Sequence, residues 1–320
     1  MKAALVTMNV KAGQCAENVQ YMKQQIKRAK EDGADLIVFP QNAVSGYLLG
    51  DVWLDEDFCR YADSFNDELI RESEDIAIVW GNIRYRNRRR FNAAFFAYQK
   101  KTHMRVKQNE LLPYMQDALY FEENPINSAI EYKEDMVFAL NFGDEIQLAD
   151  MNINLDARPY DMQKAYHPHG NVIYVNACGM QNMDHSVMLM EGGSCVLRNG
   201  KCLYQAPYFQ EDYALVDLAS QKEDNEKPRS LLAALTMGIQ QFDAQVFAGK
   251  LPWIVGMSGG LDSSVTAALL VYALGKQRVY GYNLATRHNR DITKSNARQE
   301  AQALGIAYRE GAIEALVEAT

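Results

Sequence analysis

The chain has 320 residues with a formal net charge of −8, and 48% of its residues are hydrophobic. A chain of this length and composition can bury two hydrophobic cores, so we expect a globular protein of two domains. The acidic balance argues against a nucleic-acid or anionic-membrane partner held by general electrostatics.

Residues 1–218 are expected to form the first domain. A strand over 3–10, a helix over 16–32 and a strand over 36–39 predict a βαβ beginning. The later segments read mostly as strands, at 76–83, 91–98, 136–140, 146–148, 172–176, 194–197 and 213–217. Many strands with few helices between them predict a layered α+β sandwich.

The polar and charged residues 219–229 are typical of a linker, so we place the second domain at 230–320. Helices are predicted over 231–247, 265–274 and 293–304, and strands over 251–257, 278–284 and from 307 onward. This alternation predicts a doubly wound parallel α/β sheet, whose ligands bind at the carboxyl ends of the strands. About ninety residues make a thin domain of this kind, so we expect it to be incomplete.

The run between the predicted strand and the helix that follows it offers a site for pyrophosphate. It consists of Ser258, Gly259, Gly260, Leu261, Asp262, Ser263 and Ser264. The glycines let the backbone approach a ligand, and the N–H groups at a helix start attract negative charge. A carboxylate would repel phosphate unless it faced a divalent cation, so we assign Asp262 to Mg²⁺. The alternative is a strand-to-helix turn with polar caps.

Two other features bear on the class of protein. The five cysteines include no CxxC pair, so the sequence predicts neither a disulfide framework nor a zinc site. No segment has the length of a membrane span, and the first residues run directly into a strand without a signal-peptide pattern. We therefore expect a cytoplasmic protein.

The run at 258–264 resembles the signature of the ATP pyrophosphatases, and the longer match at 255–282 and 296–306 is similar to NAD synthetase. The first half is similar to the nitrilase-type glutaminase domain that is fused to NAD synthetase in the glutamine-dependent enzymes. The segments that carry this second resemblance are 32–40, 46–47, 172–176 and 191–194. The resemblance implies a nitrilase-like αββα sandwich followed by an adenine nucleotide alpha hydrolase-like α/β domain.

The resemblance also implies a reaction. In the family, ATP and Mg²⁺ adenylate the carboxylate of nicotinic acid adenine dinucleotide, and ammonia then displaces AMP to give NAD. The run at 258–264 would hold the leaving pyrophosphate, and Mg²⁺ on Asp262 would neutralise its charge. The ammonia comes from glutamine, hydrolysed in the first domain by a cysteine nucleophile, a glutamate base and a lysine.

The sequence departs from the family at all three of those positions. The glutamate position, after the strand and Pro40, holds Gln41. The lysine position falls on Asn109, and the cysteine position falls near Ala149. An amide cannot take the thiol proton, and alanine carries no nucleophile. Lys107 could supply the cation in a shifted register, whereas Cys178 is more typical of a small buried hydrophobe than of a substitute nucleophile.

The leading hypothesis is therefore an NAD synthetase-type ligase that uses free ammonia or ammonia from another subunit. Its first domain would be kept for architecture, for homo-oligomer assembly or for closure over the ATP site. One alternative is an ATP-binding module or fragment without catalytic activity. The other is a free nitrilase-like carbon-nitrogen hydrolase, which is the weakest because its chemistry is what the sequence lacks.

Overall fold

The computed structural model describes residues 1–112, 115–123, 129–132, 136–164, 168–183, 186–285 and 291–312. The chain divides into two compact units, Met1–Ser230 and Leu231–Thr320. No helix of the described ranges is long and apolar enough to cross a membrane.

The first unit contains two long helices and a series of strands. The helices are α1 (Cys15–Glu31) and α2 (Glu56–Glu72). The strands are β1 (Lys2–Thr7), β2 (Leu36–Val38), β3 (Ala77–Arg86), β4 (Arg89–Tyr98), β5 (Lys101–Val106), β6 (Leu111–Leu112), β7 (Met115–Gln116), β8 (Ala129–Tyr132), β9 (Met136–Phe142), β10 (Met151–Asp156), β11 (Val172–Asn176), β12 (Cys178–Met183), β13 (Ser186–Glu191), β14 (Cys195–Arg198), β15 (Lys201–Gln205) and β16 (Asp212–Asp217).

Two sheets pack face to face in this unit. Among the described residues each has six strands, in the orders β16-β1-β2-β3-β4-β5 and β15-β14-β11-β10-β9-β8. Side chains alternate along a strand, so Ala3 and Leu5 of β1 enter the core between the sheets, whereas Ala4 and Val6 pack with residues of α1 and α2. This is the layered sandwich that the sequence predicts, and in the described part of the chain helices cover only the outer face of the first sheet.

The central strands of the second sheet have short connections. β9, β10 and β11 run parallel to one another, and they are joined by residues 143–150 and 157–171. Parallel neighbours usually need a crossover of about a dozen residues or more, most often containing a helix. Neither connection contains a helix in its described residues. The carboxyl ends of β9 and β10 are therefore covered by irregular chain.

Two predictions for this unit are wrong. The expected strand at 146–148 lies in the connection after β9, where Leu148 is fully exposed, because this short apolar run has no partner strand. Helix α2 was not predicted, although Asp55 caps it by accepting hydrogen bonds from the N–H groups of Asp57 and Phe58. An acidic N-cap followed by acidic residues in the first turn is the signal that identifies such a helix.

The second unit begins a parallel α/β sheet, as predicted. Its elements are α3 (Leu231–Phe247), β17 (Trp253–Gly256), α4 (Leu261–Leu274), β18 (Val279–Ala285), α5 (Asp291–Leu304) and β19 (Ala307–Ala312). The strands lie in the order β17-β18-β19, all parallel. Gly275 ends α4 with a φ of +84°. Helix α5 begins at Asp291, two residues before the predicted start at residue 293.

The predicted linker is attached to the first unit. The Asp224 carboxylate accepts a hydrogen bond from the Gln205 N–H and pairs with Lys227. The Asp224 N–H donates to the Cys202 carbonyl. The division between the units therefore follows this segment, at Ser230 and Leu231.

Gly81 tests how tightly the sheet packs against the chain that follows β2. A Cβ atom there would lie 2.4 Å from the Asn42 nitrogen and 2.5 Å from Gln41 Cα. We expect Gly81→Ala to lower the free energy of unfolding by about 3 kcal/mol, because the clash is with backbone atoms. Gly33→Ala is the control. Its φ is +71° but nothing lies within 4 Å of the new Cβ, so a loss of about 1 kcal/mol is expected in urea denaturation. Equal losses for the two variants would contradict the packing argument.

Candidate functional sites

The first site is a cavity of about 590 Å³ at the carboxyl ends of β2, β9 and β10. Its lining residues are Gln41, Tyr47, Lys107, Glu110, Gly143, Asp144, Asp156, Ala157, Arg158, Pro159, Tyr160, Asp161, Met162, Lys164 and Met188. The two sheets meet here, since the Gln41 N–H donates to the carbonyl of Asp156 at the end of β10. Polar side chains thus converge at the end of the sandwich where the parallel strands end.

Gln41 lies in this cavity as the sequence predicts. It follows β2 by three residues and is 2% exposed. Its Nε2 atom has no hydrogen-bond partner in the described part of the chain. An amide at this place can hold a polar ligand but cannot act as a base.

Lys107 lies in the cavity and Asn109 does not. Lys107 directly follows β5 and is buried, whereas the Asn109 amide donates to the Phe121 carbonyl outside the cavity. Lys107 is the residue that the sequence offers in a shifted register.

Lys107 is held by two acids. Its Nζ donates to Asp117 at 2.6 Å and to Glu110 at 2.8 Å. Asp117 is 1% exposed and also accepts a hydrogen bond from the Tyr47 hydroxyl at 2.7 Å. Burial lowers the pKa of Lys107, but the two carboxylates outweigh burial and raise it above its ordinary value. The ammonium therefore stays charged.

Ala149 also lies outside the cavity, in a bend before β10. The residue in the cavity that directly precedes an acid pair is Gly143, at the end of β9, followed by Asp144 and Glu145. Its φ is +55°, and a Cβ there would lie 3.3 Å from a nitrogen of the Arg158 guanidinium. Of these two positions, Gly143 lies in the cavity and Ala149 does not.

No cysteine lines the described cavity. Cys178 is 1% exposed, and its N–H donates to the Met8 carbonyl. Burial raises the pKa of the Cys178 thiol well above its ordinary value. This is the behaviour of a small buried hydrophobe, as the sequence predicts, and not of a nucleophile.

The rim of the cavity is tied to segment 219–229 by an ion pair. Arg229 Nε lies 2.6 Å from Glu191 Oε2, and Glu191 is 3% exposed. Burial raises the pKa of Glu191 to about 7, although Arg229 and Arg158 oppose this rise. A buried carboxylate that titrates near neutrality makes this contact sensitive to pH.

The second site is the turn between β17 and α4. Gly259 has a φ of +78°, and a Cβ on it would lie 1.9 Å from the Thr293 carbonyl oxygen of α5. Ser263 Oγ accepts a hydrogen bond from the Ser258 N–H and lies 3.1 Å from Ser258 Oγ. No side chain caps the start of α4 at Gly260. The first N–H groups of this helix are therefore available to an anion.

The polar residues of the turn divide into two groups. Asp262 is exposed, and its carboxylate has no hydrogen bond or ion pair in the described residues, so it is accessible to a cation. Ser264 Oγ lies 2.8 Å from the Gly260 carbonyl and 2.7 Å from Glu300 Oε2. Ser264 thus fastens α4 to α5, a role that the sequence did not indicate. The segment at 286–290, which contains the hydroxyl of Thr286, lies outside the described residues.

The comparisons agree with both halves of this architecture. The carbon-nitrogen hydrolase family profile matches residues 2–104, and the NAD synthase profile matches residues 232–320. The glutamine-dependent NAD(+) synthetase of Acinetobacter baylyi is 24% identical over 340 residues, which is 96% of this chain and 62% of that protein. The first part of the chain is thus similar to carbon-nitrogen hydrolases and the second to NAD synthases, in the order found in the glutamine-dependent NAD(+) synthetases it matches.

Solved structures show the same fold. The NAD+ synthetase of Acinetobacter baumannii, in complex with ADP, matches with a TM-score of 0.82 at 24% identity and covers 99% of this chain and 66% of that one. A Glu-to-Gln, Cys-to-Ala double mutant of the Nesterenkonia amidase, in complex with acrylamide, matches 68% of this chain and 90% of its own, with a TM-score of 0.57 at 18% identity. The nitrilase-like sandwich and the α/β domain are thus confirmed. The chain spans a little under two thirds of the NAD+ synthetases it matches.

Gly259 gives a direct test of the anion site. Gly259→Ala is expected to weaken ATP–Mg²⁺ binding by at least about tenfold in calorimetry, because the new methyl group must displace either the turn or the first turn of α5. Gly256→Ala, three residues earlier, is the control, since nothing lies within 4 Å of its Cβ. Loss of binding in the control alone would show that the turn is not the anion site.

Glu191 gives a pH test. In the folded protein the Glu191 carboxyl group has a pKa of about 7, whereas in the unfolded chain its pKa is near the ordinary value of 4.5. The stability that the protonated form contributes is therefore complete below pH 4.5 and is lost as the pH rises through 7. Between pH 4.5 and 7, the free energy of unfolding of the wild type should fall by up to about 1 kcal/mol per pH unit relative to that of Glu191→Gln. Urea denaturation at a series of pH values measures this difference.

The exposed Glu226 provides the control for this test. Glu226→Gln should show the same dependence of stability on pH as wild type, because its side chain lies in solvent. A Glu191→Gln variant with the wild-type dependence would contradict the assignment.

Proposed function

We propose that the protein is an ATP-dependent ligase of the NAD synthetase type that uses ammonia, and that its first unit does not hydrolyse glutamine. The absence of a side chain at Gly143 is the observation that supports the loss of glutamine hydrolysis. In the cavity where Gln41 and Lys107 meet, the position before the acid pair has no side chain, and no cysteine lines the described cavity.

The turn at 258–264 supports the first part. The N–H groups at the start of α4, with the hydroxyls of Ser258 and Ser263, can hold the pyrophosphate that leaves when the carboxylate of nicotinic acid adenine dinucleotide is adenylated. Ammonia then displaces AMP from the acyl adenylate. Because Ser264 is bonded to Gly260 and Glu300, it contributes through the position of α4.

Asp262 fits a role in holding Mg²⁺. The described residues contain no group of three or more acidic, histidine or cysteine side chains that could form a metal site by themselves. Mg²⁺ in nucleotide sites is commonly held by one or two carboxylates together with the phosphates, so a single exposed carboxylate beside a phosphate cradle is consistent with it. When bound, the ion would neutralise charge on the phosphates.

The first unit is proposed to keep its cavity without the hydrolytic reaction. The amidase double mutant supports this, since that nitrilase-superfamily protein, with glutamine for glutamate and alanine for cysteine, still forms a complex with acrylamide. Homo-oligomer assembly and a cytoplasmic location stay predictions.

The test is an NAD assay with two nitrogen sources. With ATP–Mg²⁺ and nicotinic acid adenine dinucleotide, we expect NAD formation with ammonium and none above background with glutamine, and no release of glutamate. Asp262→Asn should lower kcat by about 100-fold, since it would weaken the hold on Mg²⁺, whose charge would stabilise the leaving pyrophosphate. The exposed Asp75→Asn is the control for the same change of charge.

Each other outcome contradicts a stated part of the proposal. Release of glutamate would show that the first unit is a glutaminase. ATP–Mg²⁺ binding without NAD formation would identify an ATP-binding module. Full activity of Asp262→Asn would remove that residue from the site.

A further inference from the structure

A second concave surface of the first unit lies on β3, β4 and β5, at one edge of the first sheet. Its volume is about 320 Å³, and we call it the arginine groove. The residues that line it are Arg84, Arg86, Phe91, Phe95, Thr102, Met104 and Val106. None of them lines the cavity that contains Gln41 and Lys107, so the arginine groove is a separate feature of this unit.

The floor of the arginine groove is apolar. Phe95 and Val106 are 1% and 6% exposed, and Phe91 and Met104 are partly exposed beside them. Phe95 belongs to the core that the sheet shares with α1 and α2, whereas β5 is the edge strand of the described sheet. Apolar side chains thus remain accessible between the core and the sheet edge. Such a surface suits the flat hydrocarbon body of a small ligand.

The charge of the groove is positive. Its described lining contains two guanidinium groups and no carboxylate. Arg84 is paired with Asp63 at 3.2 Å, so its charge is compensated. Arg86 is exposed, and no carboxylate of the described residues lies within ion-pair distance of it. One positive charge therefore stays uncompensated in a chain of net charge −8, and it favours an anion over a neutral ligand.

A single carboxylate matches this charge. The planar guanidinium of arginine presents two parallel N–H groups that fit the two oxygens of a carboxylate. A phosphate dianion would bring a second negative charge, for which the described groove has no uncompensated cation. Because Arg86 is exposed whereas the floor is buried, a ligand that packs its apolar body on the floor can keep its carboxylate at the solvent side.

We propose that the arginine groove binds a small monocarboxylate with a flat apolar body, with Arg86 bound to the carboxylate and Phe91, Phe95 and Met104 packed against the body. The site shares no residue with the turn at 258–264 or with the cavity of the first unit. It is therefore independent of the proposed ligase reaction and of the proposed loss of glutamine hydrolysis.

The binding test uses cinnamate and cinnamyl alcohol, which have the same flat body and differ in charge. In ligand-observed NMR titrations of the purified protein at neutral pH, we expect cinnamate to bind with a dissociation constant of about 1 mM. Cinnamyl alcohol should bind about tenfold more weakly, because it cannot pair with the guanidinium.

Three variants locate the site. Arg86→Gln should weaken cinnamate binding about tenfold and leave cinnamyl alcohol unchanged, because it removes only the charge. Thr102→Trp should abolish binding of both, since an indole at this exposed position of β5 fills the groove and is tolerated in a strand. Arg71→Gln is the control, because it removes an exposed arginine outside the groove, and it should bind both ligands as the wild type does. Thermal melts establish that each variant is folded.

The proposal is overturned if the wild type does not bind cinnamate, or if it binds cinnamyl alcohol equally well. Wild-type affinity of Arg86→Gln for cinnamate also overturns it, and so does an equal loss in Arg71→Gln, which would show a general effect of charge. Cinnamate binding that persists in folded Thr102→Trp would place the ligand outside the groove. The NAD assay is read separately, so failure of the ligase reaction is distinguishable from each of these results.

Discussion

The ammonium of Lys107, buried between two carboxylates, is the interaction on which the arrangement of the first unit's cavity depends. A charge taken out of water costs several kcal/mol unless it is paired, and removing one partner of a buried pair leaves the other uncompensated. Lys107 and Asp117 are both nearly inaccessible, and Tyr47 is bonded to the same carboxylate. The end of β5, the chain after β2 and the turn at Asp117 are thus fixed to one another.

The ion pair of Lys107 and Asp117 explains why the cavity has a lysine although positions 41 and 143 hold neutral residues. An amide at Gln41 and a glycine at position 143 replace a base and a nucleophile with neutral groups, which leaves no charge unpaired. Replacement of Lys107 would leave Asp117 buried and unpaired. The pairing with Asp117 therefore ties Lys107 to the stability of the fold, independently of the hydrolysis that we propose to be lost.

The second unit depends on a different constraint, the close approach of two backbones. The Thr293 carbonyl lies where a Cβ of residue 259 would be, so only glycine lets α5 pack against the turn. Ser264 and Glu300 join the same two helices by a side-chain hydrogen bond. The start of α4 is held from both sides while its N–H groups stay open, which suits a site for a multiply charged ligand.

The sequence predicted the parts of both sites that lie next to regular elements. The turn at 258–264 sits between β17 and α4, and Gln41 sits just after β2, so local pattern was enough to place them. Asn109 and Ala149 lie outside the cavity, because each position was reached by counting along irregular chain whose length the sequence does not fix. The contact of Arg229 with Glu191 joins residues far apart in the chain, and no local pattern indicates it.

The central claim is that the first unit retains a ligand cavity without a nucleophile. Its most direct test is intact mass spectrometry after treatment of the folded protein with a chloromethyl ketone analogue of glutamine, which alkylates the cysteine of an active glutaminase site. We predict no adduct on Cys178 or in the cavity of the native protein, measured in a Cys202→Ser background because Cys202 is partly exposed outside the cavity. The four buried cysteines should be alkylated only after denaturation. A single adduct formed by the native protein, on Cys178 or on any residue of the cavity, would contradict the account.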